Sequence, residues 1–258
     1  MKGGVGVIRI LNPHPFPPPA AAAAPPPLTR IKFKKPIYYA KEAAETNEIR
    51  VCTNRTCRRQ GSMESLQVLS GIAPPNIAVN SCSCLGRCGA GPNLLILPSA
   101  TFVNHCATAA RAAHIMAILT GYDLKDWNKA LEALSIRKKA ELHMEKADFA
   151  MADILLSQAL DLNPVGGIHH IYRYRSVARL ALNNTIAALD DAIEASTLAP
   201  KYPEAYICKG DALMGMEQFE AAGDSYSMAL ELDPSIRRSK SFKARIAKLE
   251  EKLLILDS

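Results

Sequence analysis

Prolines recur at nearly constant intervals in the second half of this 258-residue chain. Pro164, Pro200 and Pro234 are separated by 36 and 34 residues. Small residues precede each proline by five, twelve and twenty-four positions: Ala159, Ala195 and Ala229; Ala152, Ala188 and Ala222; and Ala140, Ser176 and Gly210. Small residues let two helices approach closely, and proline ends the second helix of a pair. The spacing therefore predicts three stacked helical hairpins.

This register, from about residue 130 to 234, resembles that of tetratricopeptide repeats. The third repeat carries the pattern most fully, with Tyr206, Gly210, Phe219, Ala222, Tyr226 and Ala229. The second repeat departs from it at Thr185, where its neighbours have Phe149 and Phe219. An ordinary helical bundle with chance prolines is the alternative, and three coincident registers argue against it. The resemblance implies an all-α solenoid over 123–234.

Residues 235–258 are expected to form a capping helix, because Ile246, Leu249, Leu253 and Leu254 share one side of a helix over 237–256 and charges fill the other. Such arrays present a concave surface to a protein client. Relatives that hold the acidic tails of heat-shock chaperones use a clamp of Lys, Asn and Arg. The inward positions here are expected to be Glu141, Tyr174, Glu204 and Cys208, so we expect no chaperone tail as partner. His169 and His170 are expected to be a surface pair.

Five of the seven cysteines lie within 37 residues, as a Cys52-x4-Cys57 pair followed by Cys82, Cys84 and Cys88. Such clustering is typical of a metal site. Zinc prefers Cys-x2-Cys knuckles, a dithiol switch most simply uses Cys-x-x-Cys, and a plant-type ferredoxin needs a third cysteine soon after the second. None of these spacings is present, and free thiols in a reducing compartment are a further alternative. Cys106 and Cys208 are interpreted as small buried apolar residues.

The residues around these cysteines predict a short β-α-β-β-α order. Strands are expected at 49–52, 77–80, 94–97 and 101–103, and helices at 63–72, with Ser62 as N-cap, and at 108–119. The thiols then fall in two loops, one after each of the first two strands. Neighbouring strands would bring those loops together.

The segment from 48 to about 120 resembles the thioredoxin-like [2Fe-2S] ferredoxin family, which includes a subunit of respiratory complex I. The resemblance rests on Cys52-x4-Cys57 after a strand and on the run Cys84-Leu-Gly-Arg-Cys88-Gly-Ala-Gly-Pro-Asn-Leu. It implies a [2Fe-2S] cluster bound by Cys52, Cys57, Cys84 and Cys88, with Cys82 as an alternative ligand. It also implies an α+β thioredoxin-like domain over 42–122, joined to the helical solenoid.

Residues 1–41 combine seven basic residues, no acidic residue and runs of proline and alanine. Such a segment builds no core and is interpreted as a disordered transit peptide, for a chloroplast or alternatively a mitochondrion. A disordered cytosolic tail is a further alternative. The remainder of the chain carries a net charge of −1, so we expect no nucleic-acid partner. No apolar stretch predicts a transmembrane segment.

These observations predict a protein that is not an enzyme, because no phosphate loop, triad or open metal site is recognisable. We expect an assembly or biogenesis factor for a photosynthetic or other organellar complex. In that interpretation the repeats bind the client and the cluster has a redox or structural role. The alternative is an electron-transfer protein that serves a docked enzyme.

Overall fold

The computed structural model describes residues 47–256, which belong to one compact unit. The transit-peptide prediction for residues 1–41 lies outside the described residues. The described chain begins with an α/β part, up to residue 122, and continues as helices to residue 256. None of its helices is both long and apolar enough to cross a membrane.

A four-stranded sheet forms the α/β part, with strands β1 (Asn47–Cys52), β2 (Ile77–Cys82), β3 (Leu94–Leu97) and β4 (Thr101–Val103) in the order β2-β1-β3-β4. The β1–β2 pair is parallel, and the other two pairs are antiparallel. Ile49 and Val51 alternate with Arg50 along β1 and are fully buried, as a sheet with one covered face requires.

Three helices accompany the sheet: α1 (Arg55–Arg59), α2 (Ser62–Ile72) and α3 (Ala109–Thr120). The sequence did not predict α1, which is a single turn that contains Cys57. The prediction that Ser62 caps α2 was wrong. Gly61 occupies the cap position with φ +93°, and Ser62 is the first helical residue and buried. Positive φ there favours glycine over serine.

Six helices form three antiparallel pairs: α4 (Leu124–Glu145) with α5 (Phe149–Asp161), α6 (Ile168–Ala181) with α7 (Thr185–Leu198), and α8 (Pro203–Gly215) with α9 (Phe219–Leu232). The residues of the predicted small-residue register are all buried, most of them completely. At Gly210 the ring of Tyr226 fills the space that a side chain would need. The structure confirms three helical hairpins.

The turn inside each pair is also repeated, which the sequence did not reveal. Ala147, Asn183 and Glu217 all have φ of 60°, a conformation that is uncommon for residues other than glycine. The next residue of each turn donates its N–H over 2.9 Å to a carbonyl near the end of the first helix, from Asp148 to His143, from Asn184 to Arg179 and from Gln218 to Leu213. The same backbone turn therefore recurs with three different side chains.

The last helix, α10 (Lys240–Leu256), differs from its prediction in two respects. The helix begins at Lys240 because residues Pro234–Arg238 form a separate 3₁₀ turn. Leu249 is buried and Ile246 and Leu253 pack beside it, as expected, but Leu254 is 71% exposed. Phe242, which the prediction did not include, is buried against the ring of Tyr226.

The two parts of the chain share one core. Trp127, Ala130 and Leu134 of α4 are buried with Leu69 and Ile72 of α2. The C-terminal turn of α2 lies so close to the loop before α6 that a side chain at Gly166 would collide with the carbonyl of Ile72. Gly167 donates its N–H to the carbonyl of Ala73 over 3.2 Å. The repeat array therefore holds the α/β part through direct backbone contacts.

His169 and His170 lie at this junction, so the prediction of a surface pair was wrong. His169 is 6% exposed, and its ring centroid is 4.0 Å from that of His170. Nδ1 of His170 is 3.2 Å from the hydroxyl of Tyr202. Burial, together with the positive charge of Arg137, lowers the pKa of His169 to about 4.

Acid is therefore expected to destabilise the fold through His169. The folded pKa lies below the ordinary value of 6.5, so this stability is fully present above pH 6.5 and is lost as the pH falls towards 4. The free energy of unfolding should fall by about 3 kcal/mol over that range. His169→Gln should remove this part of the pH dependence in urea unfolding, whereas His114→Gln, at an exposed position, should keep it. Equal pH profiles for the two variants would contradict the assignment.

Candidate functional site

The cysteine cluster lies where β1 and β2 end. Parallel pairing places Cys52 opposite Cys82, the last residues of their strands. Thr53 extends this contact, since its N–H and its hydroxyl both donate to the carbonyl of Cys82, over 3.0 and 3.2 Å. Cys57 follows in α1, and Cys84 and Cys88 follow β2. The expectation that the two loops lie side by side is confirmed.

Four thiols lie near this corner, and two of them are in contact. The sulfurs of Cys84 and Cys88 are 3.7 Å apart. Cys52 and Cys57 are buried, Cys82 is half-buried, and Cys84 and Cys88 are exposed. Cys52 and Cys57 therefore form a buried pair, and Cys84 and Cys88 form an exposed pair.

The surroundings shift the pKa values of these thiols in different directions. Burial by itself would raise the pKa of Cys52, but the backbone N–H groups of Asn54 and Leu85 and the adjacent thiols outweigh it and lower the pKa. Burial raises the pKa of Cys57 and of Cys82. The contact between Cys88 and Cys84 raises the pKa of Cys88. Cys52 is thus the thiol whose anionic form the protein favours.

Asn93 is a site residue that sequence reasoning did not assign. Its amide is 1% exposed and donates to the carbonyl of Arg87 over 2.7 Å and to the sulfur of Cys57 over 3.6 Å. Gly86 donates its N–H to the sulfur of Cys84 over 3.4 Å. Asn93 lies within the run that carries the family resemblance, and this was the signal available for it. The two hydrogen bonds of Asn93 connect the loop that carries Cys84 and Cys88 to the buried Cys57.

Arginines surround the cysteines. Arg55, Arg58 and Arg59 are exposed on α1 and line a shallow concavity with Thr53. The guanidinium of Arg87 lies 4.2 Å above the ring of Phe102.

Within residues 47–256, no three His, Cys, Asp or Glu side chains are arranged so as to hold a metal ion.

A second set of functional candidates lies on the first helices of the repeats. Arg137, 8% exposed, is 3.1 Å from the carboxylate of Glu141 and donates to the carbonyl of Gly71 over 3.4 Å. The ring of Tyr174 lies between Arg137 and Arg173, at 5.7 and 4.5 Å from their guanidinium carbons. Cys208 is buried, as predicted for an apolar cysteine.

Comparisons with known proteins agree with the repeats. The chain is 31% identical over 116 residues to "Protein SGT1 homolog" of Oryza sativa subsp. japonica, covering 45% of this chain and 30% of the relative. It is 30% identical over 106 residues to "Protein STIP1 homolog" of Dictyostelium discoideum, covering 41% and 18%. The chain thus spans less than a third of the length of these relatives. No family model matches it.

A similar solved structure is the first TPR of Spaghetti (RPAP3) bound to the HSP90 peptide SRMEEVD, with 22% identity, a TM-score of 0.42 and coverage of 47% of this chain and 93% of that one. The recurring hairpins, their turns and the named relatives agree on one assignment. The helical half of this chain is a helical solenoid similar to tetratricopeptide repeats.

Proposed function

We propose that this chain is a non-enzymatic iron–sulfur protein that binds a protein client through its repeats. The α/β part would be a thioredoxin-like [2Fe-2S] domain, and the whole chain an assembly or biogenesis factor for an organellar complex. The observation that carries the proposal is the convergence of two thiol pairs at one corner of a sheet that is packed directly on a repeat array. The plastid location rests on the composition of residues 1–41, and import of a fluorescent fusion would test it.

One pair of thiols has the separation that two sulfur ligands of one iron need. A tetrahedral metal with bonds of about 2.3 Å to sulfur places two sulfur ligands about 3.8 Å apart, and Cys84 and Cys88 are separated by 3.7 Å. A [2Fe-2S] cluster takes four thiolates, and the second pair would be Cys52 and Cys57. The cluster would supply a one-electron couple.

The polar neighbours suit an anionic group at this site. The N–H of Gly86 and the amide of Asn93 already point at sulfur, and Arg87 lies in the same loop. Donors and positive charge next to bound sulfur favour the reduced form of a cluster and tune its potential. These residues would hold and tune the cluster rather than carry out a reaction.

The client would bind on the inner face of the repeats. The described groove offers Arg173 and Tyr174, both half-buried, and Tyr and Arg are the residue types that dominate binding energy in interfaces. A chaperone tail is one client to be tested directly, by titrating the full chain with the peptide SRMEEVD. Micromolar binding of the peptide, weakened by Arg173→Ala, would identify the client as a chaperone. If the peptide does not bind, the client is a different organellar protein.

An electron-transfer role is the second candidate, and the exposure of Cys84 and Cys88 favours it. A cluster held there would lie close to the surface, where a docked enzyme could exchange electrons with it. A reversible reduction potential without a stable client in organelle extract would support this role. A stable stoichiometric complex with one client would support the assembly factor.

Anaerobic purification of the full chain is expected to yield about two iron and two sulfide per chain. Iron analysis, sulfide analysis and visible absorption measure this. Zinc, or no metal after reconstitution with iron and sulfide, would contradict the proposed function.

Two serine variants test the ligand assignment. Cys84→Ser should lose most of the iron and the visible bands, because the sulfurs of Cys84 and Cys88 are as far apart as two ligands of one metal ion would be. Cys82→Ser is the matched control, two residues away, and should keep the wild-type iron content. The reverse result would replace Cys84 by Cys82 in the ligand set.

A further inference from the structure

The charges of the described chain are divided between its two parts. Residues 47–122 contain six arginines against two glutamates, a net charge of +4, whereas residues 123–258 contain 18 basic and 21 acidic residues, a net charge of −3. Because the two net charges nearly cancel, the sum over residues 47–258 is close to zero and does not show this division. The α/β part is thus a basic module attached to an acidic array.

All six cations of residues 47–122 are arginine, whereas residues 123–258 contain eleven lysines and seven arginines. A surface that serves solubility has no need to exclude lysine. Arginine is enriched at protein interfaces and lysine is depleted there, because the planar guanidinium pairs with a carboxylate through two hydrogen bonds. The composition therefore points to recognition rather than to solvation.

Four of these arginines lie close to the cysteine site, because Asn93 links the carbonyl of Arg87 to the sulfur of Cys57 on α1, the helix that carries the other three. Arg55, Arg58 and Arg59 line the concavity on α1, and Arg87 covers one face of Phe102, a ring that is 39% exposed. Among residues 47–256 none of the four forms an ion pair. The molecule thus presents unpaired cations together with an exposed aromatic ring, the combination found at interface anchors.

We propose that this arginine face (Arg55, Arg58, Arg59 and Arg87, with Phe102) is a second docking surface and that it binds an acidic protein surface. The bound partner would lie directly over the exposed thiols Cys84 and Cys88. The repeats and the arginine face would then hold two partners, or two parts of one partner, on a single rigid unit. This goes beyond the proposed function, because the charged face needs no cluster.

The test measures fluorescence anisotropy of a labelled peptide of ten glutamates at low ionic strength. The full chain is compared with the triple variant Arg55→Glu, Arg58→Glu, Arg59→Glu and with the matched control Arg237→Glu, Arg238→Glu, Lys240→Glu, whose three residues are also exposed. Both variants change the net charge equally and keep residues 1–46. The first should weaken binding about tenfold, since each exposed ion pair contributes up to about 1 kcal/mol; the control should change it less than about twofold.

Equal weakening by the two triple variants would reduce the effect to net charge and overturn the proposal, as would the absence of binding to the wild type. A labelled ten-nucleotide oligothymidylate is the second probe. If the first triple variant weakens only the binding of this DNA, the occupant is a nucleic acid and the acidic protein is excluded. Circular dichroism of all three proteins checks that they remain folded. Iron content is measured separately, so failure here does not bear on the cluster.

Discussion

Trp127→Ala is expected to lower the free energy of unfolding by about 3–5 kcal/mol, the usual cost of removing a large buried aromatic side chain. Trp127, on α4, is fully buried in the core that α4 shares with the α/β part. Its indole N–H donates to the hydroxyl of Thr120 over 3.2 Å. The backbone of Gly166 packs on its ring, so that a side chain there would lie about 3 Å from ring carbons. The substitution would open a cavity in the shared core.

Urea unfolding followed by circular dichroism measures this effect, and amide hydrogen exchange shows which part opens. Because the core is shared, protection should fall in β1 and in α6 together. Leu142→Ala is the matched control on the same helix, at a side chain that is 56% exposed, and should change the stability by less than about 0.5 kcal/mol. Loss of protection in the repeats alone would show that the two parts are independent.

Asp191→Ala is expected to cost about 3–5 kcal/mol, because it removes the shared partner of two largely buried cations. The carboxylate of Asp191, on α7, accepts two hydrogen bonds from Arg175 over 2.7 and 2.9 Å and one from Arg179 over 3.0 Å. Arg179 also donates to Asp153 of α5 over 2.9 Å. This network joins the first repeat to the second, so its loss should loosen that contact.

The preceding residue provides the control. Asp190 lies next to Asp191 on the same helix but is exposed, so Asp190→Ala should leave the stability within about 0.5 kcal/mol of the wild type. Thermal and urea unfolding of both variants measure the difference. Equal effects of the two substitutions would show that the network contributes nothing specific.

The candidate site was only partly readable from the sequence. The spacing indicated a metal site, and the family resemblance implied Cys52, Cys57, Cys84 and Cys88 as its ligands; this ligand set stays a prediction. Asn93 was missed because a buried amide that binds a carbonyl and a sulfur at once has no periodic signature. The arginine face was also missed, because the net charge summed basic and acidic residues that the fold separates.

The sequence by itself determined the helical hairpins. The alanine and proline register states which residues must be small at a helix crossing and where each pair must end, and both requirements act within about 34 residues of chain. Tertiary structure alone decided how the array and the α/β part join. Arg137 and Gly71 are 66 positions apart and meet through a 3.4 Å hydrogen bond, and the same contact buries His169, which the sequence placed on the surface. Contacts of that range depend on the packing of two whole elements, which local periodicity does not encode.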